Sequence, residues 1–363
     1  MDQARFDAIR LARSPRIGAI TYRHLIARFG SASEALRALP DLKKRGGGGQ
    51  ATQRELADEQ RVAAEVEQAE ALGARYLIWG DADYPALLAE TDDAPSVMTC
   101  RGDLSLAQQH CVAMVGARNS SAAARVFARG LAQQLADEGV TVVSGLALGI
   151  DASAHEGAGA RTIGVIATGI DISYPHRNAE LQEHIAQAAL LIAEQPLGTG
   201  PHAKLFPRRN RIIAGLSLAT IVVEAAPQSG SLITARLAGE YGREVLAIPG
   251  SPLDPRAQGC NQLIREGATL IQSAADVMEA IAHIDPRSVR TPHAPYEPPV
   301  EDIVDIEDSE RATLTELLGP VAVPVDELVR QSGMSAAAVQ MALLELELAG
   351  RLERHAGARV SLV

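Results

Sequence analysis

Lysine is nearly missing from these 363 residues, with Lys43, Lys44 and Lys204 alone, and aromatic residues make up just 3%. Cysteine is as sparse. Cys100, Cys111 and Cys260 are odd in number, widely spaced and outside any CxxC pair, which argues against a disulfide framework, a zinc site and redox chemistry. No apolar run approaches the roughly 20 residues a membrane helix needs. The opening MDQARFDAIRLARSPR carries no apolar core of secretory length, so the expectation is a cytoplasmic protein with no membrane partner. What remains, 47% hydrophobic and 22% charged, is the composition of a globular chain able to bury a substantial core.

Net charge is −11, and it is unevenly spread. Residues 1–54 hold a surplus of seven positive charges, which leaves −18 for the remaining 309. A second basic island lies between Glu194 and Glu224, where 29 consecutive residues contain no acid but do contain Lys204, Arg208, Arg209 and Arg211.

From Cys111 to Gln272 the chain repeats one pattern of apolar run, Gly or Ser turn and helical-period segment. The runs are CVAMVGA, VTVVSGLA, TIGVIATG, LLIAEQP, LATIVVEAA, EVLAIPG and ATLIQ, the composition of strands buried on both faces. The pattern predicts an α/β fold, a doubly wound, mainly parallel sheet with ligands at the carboxyl ends of its strands. Residues 1–75 read as a small helical domain with a Pro and Gly hairpin, interrupted by KKRGGGGQ as a flexible loop. The core is expected over 76–284 and a Pro-rich acidic linker over 285–308. Residues 309–363 show two helices and two short strands around an Ala-Gly turn, the order of a winged helix.

Three strand-to-helix turns could hold an anion. In VAMVGARNSSAAA, Gly116 ends a strand and Arg118 follows, ahead of a helix whose first amides lack partners. An ordinary turn with a surface arginine fits equally well. The spacing is not GxGxxG and no acid is placed for a ribose, so no dinucleotide cofactor is expected. In VVSGLALGIDASAH, Ser144 and Gly145 form a turn that a ligand backbone could approach. Asp151 and His155 lie four apart on the next helix; capping by Asp151 and packing by His155 are favoured over acid–base chemistry. In VVEAAPQSGSLITARLA, Ser229, Gly230 and Ser231 offer donors without charge, and no GxSxG elbow is present.

The basic island, KLFPRRNRIIAG, begins a helix or the loop before it. Cations at a helix N-terminus oppose the dipole, so an anion should compensate them. Lys204, Arg208, Arg209 and Arg211 suit phosphate, Asn210 a base edge or a loop, and Phe206 a stacked base. The competing view gives the arginines internal partners such as Glu194 or Glu224. Several such turns with one basic island describe a polyanion track rather than a small-molecule pocket. Neither a metal cluster nor a strong nucleophile is evident, so binding is expected, not catalysis.

VGAR, SGLALGIDASAH, GVIATGIDISYP, FPRRNRIIAG, VVEAAPQSGSLITARLA, LAIPG and GCNQLIREGA, in that order over Val112–Gly267, resemble the DprA/Smf family (DNA processing protein A). The resemblance implies an extended Rossmann-like core, an N-terminal sterile-alpha-motif-like (SAM-like) or helix-hairpin-helix module, and a C-terminal winged helix. It implies a non-enzymatic single-stranded DNA binding protein of natural transformation, competence and recombination that protects incoming strands. It further implies a homodimer that loads the RecA recombinase. Arg118 matches the arginine of the family's VGSR loop, Arg209, Asn210 and Arg211 its RNR, and Ser229–Ser231 its SGS turn; Lys204 falls near a basic DNA-contacting position. Ala117 replaces the usual serine. The helix SAAAVQMALLELELAG has no Lys or Arg and contains Glu345 and Glu347, so a protein-contact or structural role is expected for it, not groove reading. The basic N-terminal module, with SPRIGAITYRHLI as a hairpin, is a second possible phosphate surface or a solvated face. The alternative is a Rossmann-like nucleotide phosphoribohydrolase of the lysine-decarboxylase-like class, but PQSGSLITA lacks the paired glycines and glutamate of PGGxGTxxE. A sequence-specific transcription factor is a third reading, undercut by that acidic helix.

Overall fold

The computed structural model describes residues 1–47, 56–284, 306–355 and 357–363. Most of the expected linker, the glycine run after Gly47 and Ala356 fall outside them. The chain divides into two compact units, Met1–Ala63 with Pro292–Val363, and Ala64–Thr291.

The larger unit is built on a nine-stranded sheet. Its strands are β1 (Arg75–Ile78), β2 (Val97–Gly102), β3 (Cys111–Gly116), β4 (Thr141–Ser144), β5 (Thr162–Gly169), β6 (Leu190–Gln195), β7 (Ala219–Val223), β8 (Glu244–Ala247) and β9 (Thr269–Leu270). In space they run β1-β2-β6-β5-β4-β3-β7-β8-β9. All pairs from β6 to β9 are parallel, and β1 and β2 add antiparallel to the β6 edge. The seven runs read from sequence are β3 to β9. The antiparallel pair was not read, because RYLI and VMTCRG are short and lack a following helical segment.

Helices close both faces, so the central strands carry no polar side and every residue of β5 and β7 is buried. On one side Val112, Met114, Ile221 and Leu246 pack against Ala128, Leu131 and Leu135 of α6 (Ala122–Asp137) and Ile150 and Ala154 of α7 (Ile150–Ala158). Elsewhere α8 (Ala179–Ala188) lies on β2 and β6, α9 (Leu205–Gly215) on β5, and α10 (Gly230–Glu240) on β7 and β8. Strand order reverses between β3 and β7, the crevice at which doubly wound sheets receive ligands.

In the smaller unit, α1 (Gln3–Arg13) and α2 (Ala19–Phe29) flank the Pro15 and Gly18 hairpin. The third helix, α3 (Ala32–Arg45), runs through Pro40 and takes Lys43, Lys44 and Arg45 into its last turn. The KKR read as part of a loop is therefore helical, where cations meet the negative end of the dipole. Helix α4 (Glu59–Ala71) spans the boundary of the two units and α5 (Ala86–Ala89) belongs to the larger; in the smaller, the winged module supplies α13 (Asp308–Leu317), β10 (Val323–Pro324), α14 (Val325–Ser332), α15 (Ala336–Leu348), β11 (Leu352–His355) and β12 (Arg359–Leu362). Helices α11 (Gln258–Arg265) and α12 (Ala274–Ile281) complete the larger unit. Among the described residues no helix is long and apolar enough to cross a membrane, and no His, Cys, Asp and Glu group is arranged to hold a metal.

Candidate functional site

The basic island forms the first turns of α9, with Lys204 at its N-cap. One residue per 100° sends neighbours in different directions. Arg208 points outward, its side chain half exposed, whereas Arg209 and Arg211 are buried at 6% and 7% exposure. The segment therefore divides into a floor and a rim.

Arg209 belongs to the floor. Its Nη1 donates to the carbonyls of Gly145 and Val165, tying the turn after β4 to the middle of β5, and its Nε donates to Asn210 Oδ1 at 3.3 Å. Asp151, at the start of α7, is buried beside it and accepts from the amides of Gly145 at 3.1 Å and Ala147 at 3.3 Å. Burial lowers the Arg209 pKa to about 10; the Asp151 charge works the other way and Arg118 adds to the lowering. Burial likewise raises the Asp151 carboxyl, opposed by Arg209 and those two amides.

Arg211 is the second floor guanidinium. It donates to the Asp93 carbonyl and to Glu194 Oε1, and Arg208 reaches the same oxygen at 2.9 Å. Glu194 is thus the anion that compensates the cations at the helix start. Arg209 and Arg211, both expected to meet phosphate, lie inside, and the donors described serve backbone and carboxylate.

The turns, too, have internal partners. Ser144 is fully buried and its Oγ donates to the Met114 carbonyl at 2.6 Å. Gly145 is buried too, and a Cβ on it would meet the Arg209 guanidinium at 2.7 Å, so the group that approaches this glycine is Arg209 rather than a ligand. A Cβ on Gly116 would fall onto the Val223 carbonyl, which makes that glycine a strand-packing requirement. At the start of α6, Ser121 donates through N at 2.8 Å and Oγ at 2.6 Å to the two oxygens of Glu224, while Ser121 Oγ caps Ala124. The chain's own carboxylate therefore fills the place read as a first phosphate loop.

Ser229 caps α10 and shares a 2.8 Å bond with Ser231 Oγ, itself buried. Asn210 Nδ2 donates to the exposed Gly230 carbonyl at 3.3 Å, which ties the start of α10 to α9. Asp151 does bind amides as expected. His155 packs as expected, with Thr162 as its partner: its Nδ1 lies 2.7 Å from Thr162 Oγ1, and burial, with Arg209 nearby, lowers its pKa to about 3. A neutral, buried imidazole bonded to a threonine is a packing group, not a proton carrier.

The rim is what faces water. Phe206 has two ring contacts: the Arg118 guanidinium sits 5.4 Å from its ring centroid, and the Tyr174 ring 5.6 Å away at 50°. Cation–π attraction and tilted ring packing hold these three at the ends of β3 and β5 and the start of α9. Lys204 and Arg208 flank them, Lys204 exposed and Arg208 half exposed. Such a surface has the chemistry to stack a planar ring and to neutralise anions along one edge. Tyr174 was missed in the sequence, although the scarcity of aromatics that singled out Phe206 applies equally to it. Leu146, Glu224 and Gln228 adopt positive φ of 56°, 50° and 65° beside these strand ends, and backbone strain of this kind gathers at functional sites.

Comparison with known proteins adds an independent line. Residues 75–282 match the family described as DNA recombination-mediator protein A, residues 2–68 a DprA-like N-terminal HHH domain, and residues 292–358 a DprA winged helix domain. Protein Smf of Escherichia coli (strain K12) is 38% identical over 298 residues, spanning 79% of this chain and 77% of its own. The X-ray structure of DNA processing protein A from Streptococcus pneumoniae matches with a TM-score of 0.64 at 35% identity, over 77% of this chain and 98% of that one. A Helicobacter pylori DNA processing protein A, studied for its single-stranded DNA binding mode, matches with a TM-score of 0.52 at 30% identity, over 58% of this chain and 95% of that one.

Proposed function

The chain belongs to the DNA recombination-mediator protein A family, the DprA/Smf proteins, and from that premise we propose that it binds single-stranded DNA on the rim formed by Arg118, Tyr174, Lys204, Phe206 and Arg208. The observation that carries the reading is the Arg118–Phe206–Tyr174 stack, exposed at the strand ends with cations on either side. A base laid on the aromatic faces is recognised through its π-surface, which every base has, so binding is sequence-tolerant. The cations follow the backbone, and a stacked base must first be free of a duplex partner, which sets the preference for single strands.

On this reading Arg209, Arg211, Asp151 and Glu194 hold the loops in place without touching DNA. Nothing in the chemistry of the rim breaks a bond, so its role is to hold and hand over a strand. The further steps, protection of incoming DNA in transformation, homodimer formation and loading of RecA, rest on family membership. Anisotropy of labelled oligothymidine against a matched duplex tests the binding step. Tight single-strand binding that Phe206→Ala weakens supports the proposal; equal binding of duplex, or indifference to Phe206, refutes it. Single-strand-dependent RecA ATPase on strands blocked by a single-strand binding protein tests the loading step, where stimulation by the wild-type chain is expected.

A further inference from the structure

We propose that the winged module does not read DNA, because α15, the helix such modules insert into the major groove, is the docking face for the chain's own N-terminal helices. Within its module α15 packs on α13, α14 and β11. A groove reader leaves the other face in water and lines it with cations or amides. Here Val339, Met341, Ala342, Leu343, Leu344, Leu346 and Leu348 are all buried, and so is Glu345 at 1% exposure. A helix that is apolar all round must be covered all round.

The cover comes from the N-terminal helices. The end of α3 lies against the last turns of α15 so closely that a Cβ on Gly46 would fall onto the Glu345 carbonyl and come within 2.9 Å of the Ala349 Cβ. From α2, the buried Thr21 Oγ1 donates to Glu347 Oε1 at 2.9 Å, and Arg354 Nε holds the other oxygen at 2.9 Å. Arg16 reaches the Leu348 carbonyl and Arg351 the Gly46 carbonyl, each at 3.4 Å. Glu345 is neutralised by Arg311 Nε at 2.6 Å. The two acids of α15 are thus internal anchors, one within the winged module and one across to the N-terminal helices. The contact is a permanent dock rather than a latch over a DNA site, since α15 once freed would present two carboxylates and no cation.

Hydrogen–deuterium exchange of the full chain tests this. In the wild type, amides of α15 exchange slowly, and a duplex oligonucleotide leaves that exchange unchanged. Gly46→Arg drives a side chain into the α15 backbone, and the expected result is at least about tenfold faster exchange in α2, α3 and α15 with β3 to β7 unaffected. Thr21→Val removes a single hydrogen bond and keeps the fold; about two- to tenfold faster exchange in α2 and α15 is expected. Rapid exchange of α15 in the wild type, protection of α15 by duplex DNA, or no change in either variant would overturn the proposal.

Discussion

The floor and the rim of the site draw on the same segment, Lys204–Gly215, and treat charge in opposite ways. On the floor, Arg209 and Arg211 are desolvated and donate to carbonyls and a carboxylate of the protein. At the rim, Arg118, Lys204 and Arg208 remain in or near water, where a charge costs little to keep, although Arg208 also reaches Glu194. An arginine-rich motif thus contains a scaffold and a contact surface, interleaved by helical geometry. Composition identifies the cluster, and burial divides its members between floor and rim.

Substitutions can break that division from either side. The largest effect should come from Arg209→Ala, which leaves Asp151 buried without its counter-charge. A loss of about 3–5 kcal/mol in urea unfolding is expected, with the salt dependence of DNA binding by the folded fraction unchanged. Phe206→Ala removes the stacking face and should weaken oligothymidine binding by about 1–3 kcal/mol, with little change in unfolding. Arg118→Ala and Lys204→Ala should each lower the slope of log affinity against log salt by about 0.7, read by anisotropy at several salt concentrations.

A smaller effect is expected from pH. His155 titrates at about 3 when folded against 6.5 for the ordinary group, so below about 6.5 the unfolded chain binds a proton that the folded chain refuses. Its contribution to stability is whole above that pH and declines as pH falls through the window to about 3. His155→Gln should remove about one proton from the slope of stability against pH in that window, measured by urea titrations between pH 4 and pH 7.

Much of the sheet was legible because strands buried on both faces must be apolar throughout; β3 to β9 announce themselves as runs such as TIGVIATG. Strands β1 and β2 do not, since an antiparallel edge pair has no crossover helix to frame it. That the proposed site's segments lie at strand ends was legible for a related reason, since Gly and Ser turns follow the apolar runs. Its internal partition was not. Nothing in RRNR distinguishes the outward Arg208 from the inward Arg209, because that depends on where α9 rests on β5 and on the absence of a Cβ at Gly145. Glu224 likewise reads as a strand-end acid, and its capture of Ser121 depends on β3 and β7 being neighbours. The Glu345 and Glu347 pair was legible as unsuited to a DNA groove, but its partners Arg311 and Thr21 lie far away in sequence and only folding brings them together.

The division between floor and rim is tested most directly by one salt series of oligothymidine anisotropy on wild type, Arg118→Ala, Lys204→Ala and Arg209→Ala, each held at a temperature where it is fully folded. The account predicts a shallower slope for the two rim variants and the wild-type slope for Arg209→Ala. A slope lowered by Arg209→Ala and left intact by both rim variants would contradict it, placing the phosphate on the floor of the site.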